Sequence, residues 1–441
     1  MSASTRKRQR CNSSNSDKSV SSTSRAESDL AETEWPADGN SISAAGVFLR
    51  DCAAAQLPTL LLPDKDADGL CSGLILYRTL LALGLHADRL SVHFVSKGSN
   101  IHTADERARI ARYTPRYVIV CDQGSRPGPP IVDAPGVRTL IVDHHLSDEF
   151  PDGAEVLSAA HHEPVATSST LTYLLCRPLI SAAAPAVLLK ELEYLCVIGT
   201  MGDLGTAFRW EAPFPDMRAC LKEWTKKVLG EAVSLLNAPR RTAKYDVLSA
   251  WNALLHASSP RDLVSRSSVH SGRLYEARED VRIEIERCTH TAPTFSGDGQ
   301  VALIRISSGA QVHPLIATRW ASTLKSARLK IVMCANSGYL EGQGMMNFAC
   351  RVARCALQRS GQQGGVHDIN IIAMLTDYAE RVPGLREAMG DDFARGHKQA
   401  SGGIVSTSLF EQLWEIMLKA EAPADNTGMQ ICDLLMWYLS G

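Results

Sequence analysis

One ten-residue stretch constrains the fold of this chain most strongly: residues 60–69 read Leu-Leu-Leu-Pro-Asp-Lys-Asp-Ala-Asp-Gly. An apolar run, then carboxylates at alternate positions and a glycine, indicates a buried strand that delivers acidic side chains to its C-terminal end. Such an array binds hard divalent cations through oxygen ligands. An EF-hand calcium loop starts in the same way, but it needs a Glu where this chain has Ile75, and it needs flanking helices, so we favour the strand.

Length and composition limit the class of protein. With 441 residues, of which 45% are hydrophobic, the chain can form two or three domains with large cores. The formal net charge of −2 excludes a generally basic protein that coats nucleic acid, so any nucleic-acid contact must be local. The 12 cysteines are scattered, and we find no secretory leader, which indicates a reduced, intracellular protein. No apolar run approaches the roughly 20 residues that cross a bilayer, so we expect no membrane partner.

The first 42 residues have the composition of a disordered tail. They are rich in Ser, Asn, Thr and charged residues and poor in large apolar ones, so residues 1–42 cannot bury enough surface to fold. The basic cluster at residues 6–10 is either a nuclear localisation signal or part of a solvated tail. Nuclear and cytoplasmic locations therefore both stay open.

The rest of the chain predicts an α/β fold. Over residues 43–210, helices alternate with strands, which is typical of a doubly wound parallel sheet. Tyr117–Cys121 and Thr139–Val142 are continuous apolar runs, as expected of parallel strands covered on both faces. Residues 211–295 are predicted to form a mainly helical connector, and residues 296–441 a smaller α/β domain.

Possible metal ligands stand at the ends of several predicted elements. They are Asp64, Asp66, Asp68, Asp122, Asp143, His144, His145 and Asp203. In open α/β sheets the site lies at the carboxyl ends of the strands, so these side chains should converge. Two cations about 4 Å apart can share a carboxylate, polarise phosphoryl oxygens and activate water for in-line attack. Carboxylate and imidazole ligands suit manganese better than a thiolate-rich set would.

These residues also carry a family resemblance. The blocks Asp-Lys-Asp-Ala-Asp-Gly, Cys-Asp-Gln-Gly, Asp-His-His and Gly-Asp-Leu resemble, in the right order over residues 58–205, the four motifs of the DHH phosphoesterase superfamily. That superfamily includes RecJ-type single-strand exonucleases, nanoRNases, cyclic-dinucleotide phosphodiesterases, exopolyphosphatases and type II pyrophosphatases. The resemblance implies a centre of two metal ions, usually Mn²⁺, with Mg²⁺ also possible.

The resemblance assigns roles to individual residues. One ion would be held by Asp64 and Asp122. The other would have four ligands: Asp66, Asp122, His144 and Asp203. His145 would face the scissile phosphate, which makes it a candidate catalytic residue. Asp68 is a second catalytic candidate, which either contacts the metal or caps the helix that Gly69 opens.

The chain departs from the family pattern at one place. The family carries a histidine a few residues before the first motif aspartate, as a ligand of the first ion, whereas this chain has Leu60, Leu61 and Leu62. Three possibilities follow: the first ion binds weakly, is completed by water, or takes a ligand from elsewhere. The candidates for that ligand are His93, His102, His161 and His162.

The C-terminal region resembles a particular second domain. Ala394–Gly403 resembles the Gly-Gly-His-x-x-Ala-x-Gly loop of the DHHA1 domain, with Arg395 where the first glycine is usual. Asn347–Arg351 resembles the strand that offers an arginine to the substrate phosphate in that domain. The candidate substrate-binding residues are Arg351, Gly396, His397 and Gly402. Backbone N–H groups and guanidinium forks bind phosphate oxygens, and this second domain favours the RecJ or nanoRNase-type branch.

We therefore expect a metal-dependent phosphodiesterase that acts on single-stranded or short nucleic acid. A broad aromatic and basic surface is not evident, which favours short substrates. One alternative is a catalytically weak relative that binds single strands or a protein partner. Another is a phosphatase that acts on a small phosphorylated nucleotide. The sequence leaves the choice between DNA and RNA, the polarity of degradation and the oligomeric state open.

Overall fold

The computed structural model describes residues 35–181, 184–362 and 369–421, except for the side chains of 360–362 and 397. The basic cluster at residues 6–10 lies outside these ranges. Within them, no helix has both the length and the apolar character that a membrane span requires.

The first helix begins earlier than the sequence predicts. Helix α1 spans Gly39–Ala55, so residues 39–42 belong to the fold rather than to the tail. The start is fixed by Asp38, whose carboxylate accepts the backbone N–H of Ser41 at 2.9 Å and caps the helix. Slightly earlier in the chain, the indole N–H of Trp35 donates to the backbone oxygen of Pro164. Local capping and this long-range contact outweigh the polar composition of the segment.

Five parallel strands form the first sheet, in the order β2-β1-β3-β4-β5. They span Thr59–Pro63 (β1), Leu90–Val92 (β2), Tyr117–Cys121 (β3), Arg138–Asp143 (β4) and Ala154–Ser158 (β5). Every residue of β1 and β3 is buried, as continuous apolar runs require when both faces are covered. The order reverses between β1 and β3, which is where a doubly wound sheet opens a crevice.

Helices cover both faces of this sheet. After α1 they span Ala67–Ala82 (α2), Ala104–Ala111 (α3), Ser168–Cys176 (α4) and Ala186–Leu204 (α5). Along β1, Leu61 packs into the larger core with α1, α2, α4 and α5. Its neighbours Leu60 and Leu62 pack into a smaller core that includes Ile110 of α3. The predicted doubly wound α/β class is confirmed.

A helical segment joins the first sheet to the second. Its helices span Arg218–Leu236 (α6), Val247–His256 (α7), Pro260–Leu263 (α8) and Val269–Thr289 (α9). Helix α9 enters both cores, because Leu274 packs in the first and Val281 and Cys288 in the second. The segment is therefore packed against both sheets.

The second sheet has six strands, in the order β10-β11-β9-β8-β7-β6. They span Thr294–Phe295 (β6), Val301–Ile306 (β7), Ile331–Asn336 (β8), Met345–Val352 (β9), Arg395–His397 (β10) and Ala400–Ser406 (β11). Only β7 and β8 pair in parallel. The helices of this region are His313–Thr323 (α10), Arg354–Gln362 (α11), Ile371–Glu380 (α12), Leu385–Ala388 (α13) and Thr407–Lys419 (α14).

Two parts of the sheets differ from the sequence predictions. The segment 394–403, expected to be a loop, contains β10 and most of β11, which form an antiparallel hairpin. Its Ser-Gly-Gly run reads as a loop because glycine is depleted in strands, but here glycine lets β11 pair closely with β9. Strand β5 is missing from the prediction, because Ala-Glu-Val-Leu-Ser is short and carries a charge. That charge, Glu155, pairs with Arg138 of the neighbouring β4 at 2.8 Å.

Candidate metal centre and substrate cleft

The C-terminal edge of the first sheet gathers the predicted acidic and imidazole side chains. The strand ends supply Asp64, Asp66, Asp122, Asp143, His144 and His145. Asp203 reaches the same edge from the last turn of α5. The ends of β1 and β3 flank the point where the strand order reverses, so the convergence follows from the sheet topology.

Three overlapping groups of side chains have ligand atoms within 4.8 Å of one another. The first group is Asp64, Asp66 and Asp122; the second group is Asp68, Asp122, His144 and Asp203; the third group is Asp122, Asp143, His144 and His145. Asp122 belongs to all three and is 4% exposed. Within the described part of the chain, Asp122 is therefore the carboxylate placed so that two neighbouring cations could share it.

The backbone places Asp122 in an unusual conformation. Its φ is +62°, in the left-handed region that aspartate tolerates better than most residues. Its N–H donates to the backbone oxygen of Val142 at 3.0 Å, and its Oδ1 accepts from the hydroxyl of Ser168 at 2.9 Å. Burial, and then the carboxylates of Asp68 and Asp66, raise the pKa of Asp122 well above its ordinary value. A cation would relieve this crowding of negative charge.

His144 lies between two of these carboxylates. Its Nε2 is 3.4 Å from Asp122 Oδ1 and 3.2 Å from Asp203 Oδ2. The nitrogen is buried but makes no hydrogen bond of good geometry. Burial by itself would lower the pKa of His144, but the neighbouring carboxylates, with Asp203 first, raise it. A buried imidazole nitrogen without a hydrogen bond, among several carboxylates, has the donor atoms of a metal site.

His145 is held in place by Asp143. The ring Nδ1 lies 2.8 Å from Asp143 Oδ1, and the other oxygen of this buried carboxylate accepts from the N–H and hydroxyl of Ser125 at 3.1 and 2.6 Å. Although burial would lower the pKa of His145, Asp143 raises it to about 9. The residue lines two adjoining cavities. Asp143 thus orients the histidine and is itself fixed by a serine.

The structure changes the interpretation of Asp68 and of its helix. The cap of α2 is Asp66, whose carboxylate accepts the N–H groups of Asp68 and Gly69 at 3.1 and 3.2 Å. Asp68 is fully buried, and its two oxygens accept the N–H groups of Ser168 and Ser169 at 2.8 and 2.9 Å. A carboxylate enclosed in this way positions the start of α4 and is closed to a substrate, so we assign Asp68 a positioning role rather than a catalytic one.

Two cations stand beside the first group, and the sequence reasoning assigns neither of them a role. Lys65 Nζ lies 2.9 Å from Asp64 Oδ1, and an Nη of Arg240 lies 3.5 Å from Asp66 Oδ2. These side chains are shielded from solvent, since the lysine is 24% exposed and the arginine 16%. The position of Lys65 between two candidate ligands is visible in the sequence. Arg240 is about 170 residues away, just after α6, and carries no sequence signal.

The histidines proposed to complete the first group do not join it in the described residues. His93 Nε2 lies 2.7 Å from Glu106, and His161 lies 3.1 Å from Asp148. His102 lines the cleft beside the group, and burial, with nearby arginines, lowers its pKa to about 3. His162 also belongs to none of the groups.

A cleft between the two sheets adjoins the metal groups. It consists of two cavities of about 320 and 510 Å³, which share Asp64, Lys65 and His145 among their lining residues. Across the cleft, Arg126 of the first sheet region lies 3.1 Å from Asp392, which precedes β10. Both sheets therefore contribute to a single concave site.

The predicted substrate-binding residues lie on the wall of the cleft formed by the second sheet. Arg351 lines the larger cavity, and its Nη1 donates to the backbone oxygen of Cys350 at 2.8 Å. Gly396, at φ +107°, lines both cavities, and Gly402 lines the larger one. A Cβ on Gly402 would meet the backbone oxygen of Phe348 at 2.4 Å, which also gives this glycine a packing role. The side chain of His397 lies outside the described part of the structure.

Among the side chains that the structure describes on the same wall, three polar atoms are buried without a hydrogen-bond partner. They are His313 Nδ1, Asn347 Oδ1 and Ser401 Oγ, all from residues that line the larger cavity. Buried polar atoms are normally paired, so such a cluster indicates a surface that a polar ligand completes.

His313 gives a test of stability against pH. Burial, and then Arg351, lower its pKa to about 3, so the folded protein keeps this ring neutral while the unfolded chain is protonated below about pH 6.5. Stability should therefore fall as the pH drops through 6.5, by about 2 kcal/mol between pH 6.5 and 5 from this residue. Urea denaturation of the wild type and His313→Gln at both pH values measures this. Equal losses in the two proteins would contradict the prediction.

The doubly wound sheet and the carboxylate and imidazole groups at its edge define an α/β protein with a candidate divalent-metal centre. Residues 59–200 match the family model described as the DHH family, N-terminal domain. No curated protein sequence matches the chain significantly. The matched segment contains β1 to β5 and every strand-end residue of the site. The match covers 142 of the 441 residues, so the similarity to the DHH family is shown for this segment of the chain.

Solved structures share the fold at low sequence identity. RecJ in complex with Mn²⁺ from Thermus thermophilus has a TM-score of 0.57 and 16% identity, over 86% of this chain and 54% of that chain. An exonuclease RecJ bound to manganese has a TM-score of 0.56 and 15% identity, over 89% and 98%. The DHH domain of a member of a ribosomal protein family has a TM-score of 0.59 and 14% identity, over 89% and 95%. The chain thus spans about half of the Thermus RecJ chain.

Proposed function

We propose that this chain is a metal-dependent phosphoesterase that hydrolyses phosphodiester bonds of single-stranded or short nucleic acid. The observation that carries the proposal is the second group, where the Nε2 of His144 lies 3.4 Å from Asp122 Oδ1 and 3.2 Å from Asp203 Oδ2, with the buried carboxylate of Asp68 close by. Two RecJ proteins with the same fold, one of them described as an exonuclease and both bound to manganese, support this choice of reaction and ion.

The second group fits a divalent cation. Asp122, His144 and Asp203 offer its ligand atoms, the first two from buried side chains, while Asp68 is already hydrogen-bonded to α4 and contributes mainly charge. Oxygen ligands with one imidazole suit Mn²⁺, with Mg²⁺ as the weaker alternative. When bound, the ion polarises a phosphoryl oxygen and offsets the negative charge that develops during attack.

The protein's own side chains then bind and orient the phosphodiester. His145, fixed through Asp143, can donate a hydrogen bond to a phosphoryl oxygen in the cleft. Arg351 and Arg395 on the second sheet give the opposite wall its positive charge. Cavities of about 320 and 510 Å³ have the size of small-ligand sites, which favours a few nucleotides over a long strand.

One observation favours a second candidate function. Asp64 is already paired with Lys65, and the buried Leu60, Leu61 and Leu62 offer no metal ligand. A relative with an incomplete centre could bind single strands or a protein without turnover. Robust hydrolysis by the pure protein would exclude this binding function.

Hydrolysis of labelled oligonucleotides tests the proposed activity. Purified chain, stripped of metal and then given Mn²⁺, should degrade a short single-stranded RNA or DNA, and chelator should stop the reaction. Asp203→Asn should reduce the rate at least about a hundredfold, because it removes a ligand charge from the second group. Asp216→Asn is the matched control, since this carboxylate is exposed and pairs with Arg218 away from the cleft.

Two outcomes would change the assignment. Wild-type-like cleavage by Asp203→Asn would show that a contaminant, not this centre, does the chemistry. A panel that includes a dinucleotide and phosphoadenosine phosphate separates the substrate classes. Turnover of the small nucleotides alone would replace the nuclease assignment with a phosphatase acting on a small phosphorylated nucleotide.

A further inference from the structure

The first group differs from the second in its charge balance. Its three carboxylates, Asp64, Asp66 and Asp122, are accompanied by the ammonium of Lys65 and the guanidinium of Arg240. The second group also has three carboxylates, but its other member is an imidazole. The charges of a lysine and an arginine thus lie beside Asp64 and Asp66 of the first group.

Both cations are held in place by the structure. Lys65 Nζ is 2.9 Å from Asp64 Oδ1, and these side chains are only 24% and 16% exposed. Arg240 donates through Nε to Asn237 Oδ1 at 3.2 Å and reaches Gln311 Oε1 at 3.5 Å, besides lying 3.5 Å from Asp66. A guanidinium with three anchors stays in position without a metal ion.

Two carboxylates of the first group already have partners in the protein, which makes them weak ligands for a divalent ion. Asp66 caps α2 through two backbone N–H groups, and Asp64 is the partner of the lysine. On the preceding strand, Leu60 and Leu62 pack in the apolar core with Val118 and Val120. A divalent ion here would lack an imidazole ligand and would lie close to an ammonium of like charge.

We propose that the ammonium of Lys65, supported by Arg240, takes the place of the first divalent cation, so that the centre binds a single metal ion at the second group. The proposal rests on the metal-dependent function proposed above and specifies its centre. Lys65 lines both cavities of the cleft, where its remaining N–H donors can bind a phosphoryl oxygen. The centre then pairs one divalent ion with one ammonium across the shared carboxylate of Asp122.

Metal stoichiometry tests this inference without relying on activity. The full chain is equilibrated with excess Mn²⁺, bound metal per chain is counted by elemental analysis, and the electron paramagnetic resonance spectrum is recorded. The wild type should bind one ion with the spectrum of an isolated Mn²⁺, and Asp203→Asn should lose it. Lys65→Ala should bind a second ion, with the spectrum of a spin-coupled pair, because two ions that share Asp122 lie a few ångströms apart.

Lys65→Arg is the matched variant, since it keeps the positive charge and should keep one ion. Thermal unfolding of each variant shows that the chain is folded when its metal is counted. A coupled pair in the wild type overturns the inference and leaves the proposed function standing. One ion in both the wild type and Lys65→Ala also overturns it, since the lysine would then not exclude the second ion. If no variant binds Mn²⁺, the proposed function fails together with the inference.

Discussion

Asp122→Asn is expected to lower kcat/KM for oligonucleotide cleavage about a thousandfold, equivalent to about 4 kcal/mol of transition-state stabilisation. Asp122 belongs to all three groups of possible ligands, and 4% of it is exposed. No neighbouring carboxylate can replace it, because the others approach from different strands and helices. Steady-state rates on a short labelled oligonucleotide at fixed Mn²⁺ measure the loss.

The substitution Asp122→Asn removes the charge of residue 122 but keeps a side chain that tolerates its backbone conformation. The φ of +62° suits Asn nearly as well as Asp, so Asp122→Asn should fold normally, whereas Asp122→Ala adds backbone strain. In metal-free protein, loss of this crowded charge should leave the thermal midpoint unchanged or raise it. A low rate is informative only if the variant is folded. A thermal melting curve of Asp122→Asn checks this. Asp122→Asn that folds and retains about a tenth of the activity would refute the shared-ligand role.

The convergence of the site could be predicted because it depends on topology. Parallel strands place their carboxyl ends at one edge, so Asp64, Asp122 and His144 had to meet once β1, β3 and β4 were recognised as buried strands. Each of these strands contains a run of at least three consecutive apolar residues, which is a clear strand signal in a sequence. The edge strand β5 has no such run, so its sequence does not predict it.

The charge environment could not be predicted, because it depends on distant residues and on side-chain geometry. Whether Lys65 points to solvent or back to Asp64 depends on the turn between β1 and α2. Arg240 reaches Asp66 only because Asn237 and Gln311 hold it there. From the family pattern we expected another histidine to complete the first group. In the structure, the side chains of Lys65 and Arg240 lie beside that group instead.

Asp68→Ala is expected to destabilise the protein by about 4 kcal/mol without directly removing a substrate contact. The substitution leaves the backbone N–H groups of Ser168 and Ser169 buried and unpaired, and each such group costs roughly 1–3 kcal/mol. The neighbouring helix α5 cannot shift to fill the space, because Gly199 already lies against the side chain of Ser169. Urea denaturation of metal-free protein measures the change in the free energy of unfolding.

Asp68→Asn distinguishes the positioning role from a catalytic one. The amide oxygen of asparagine can accept one of the two backbone N–H groups, but its NH₂ group faces the other. Asp68→Asn should therefore lower the free energy of unfolding by about half as much as Asp68→Ala. Asp88→Ala, on an exposed turn, is the control and should change stability by less than about 0.5 kcal/mol. If Asp68→Asn keeps full stability but loses activity as completely as Asp122→Asn, the carboxylate acts in the chemistry. If the loss of activity instead parallels the loss of stability, Asp68 acts indirectly. It then positions the start of α4, where the hydroxyl of Ser168 donates to Asp122.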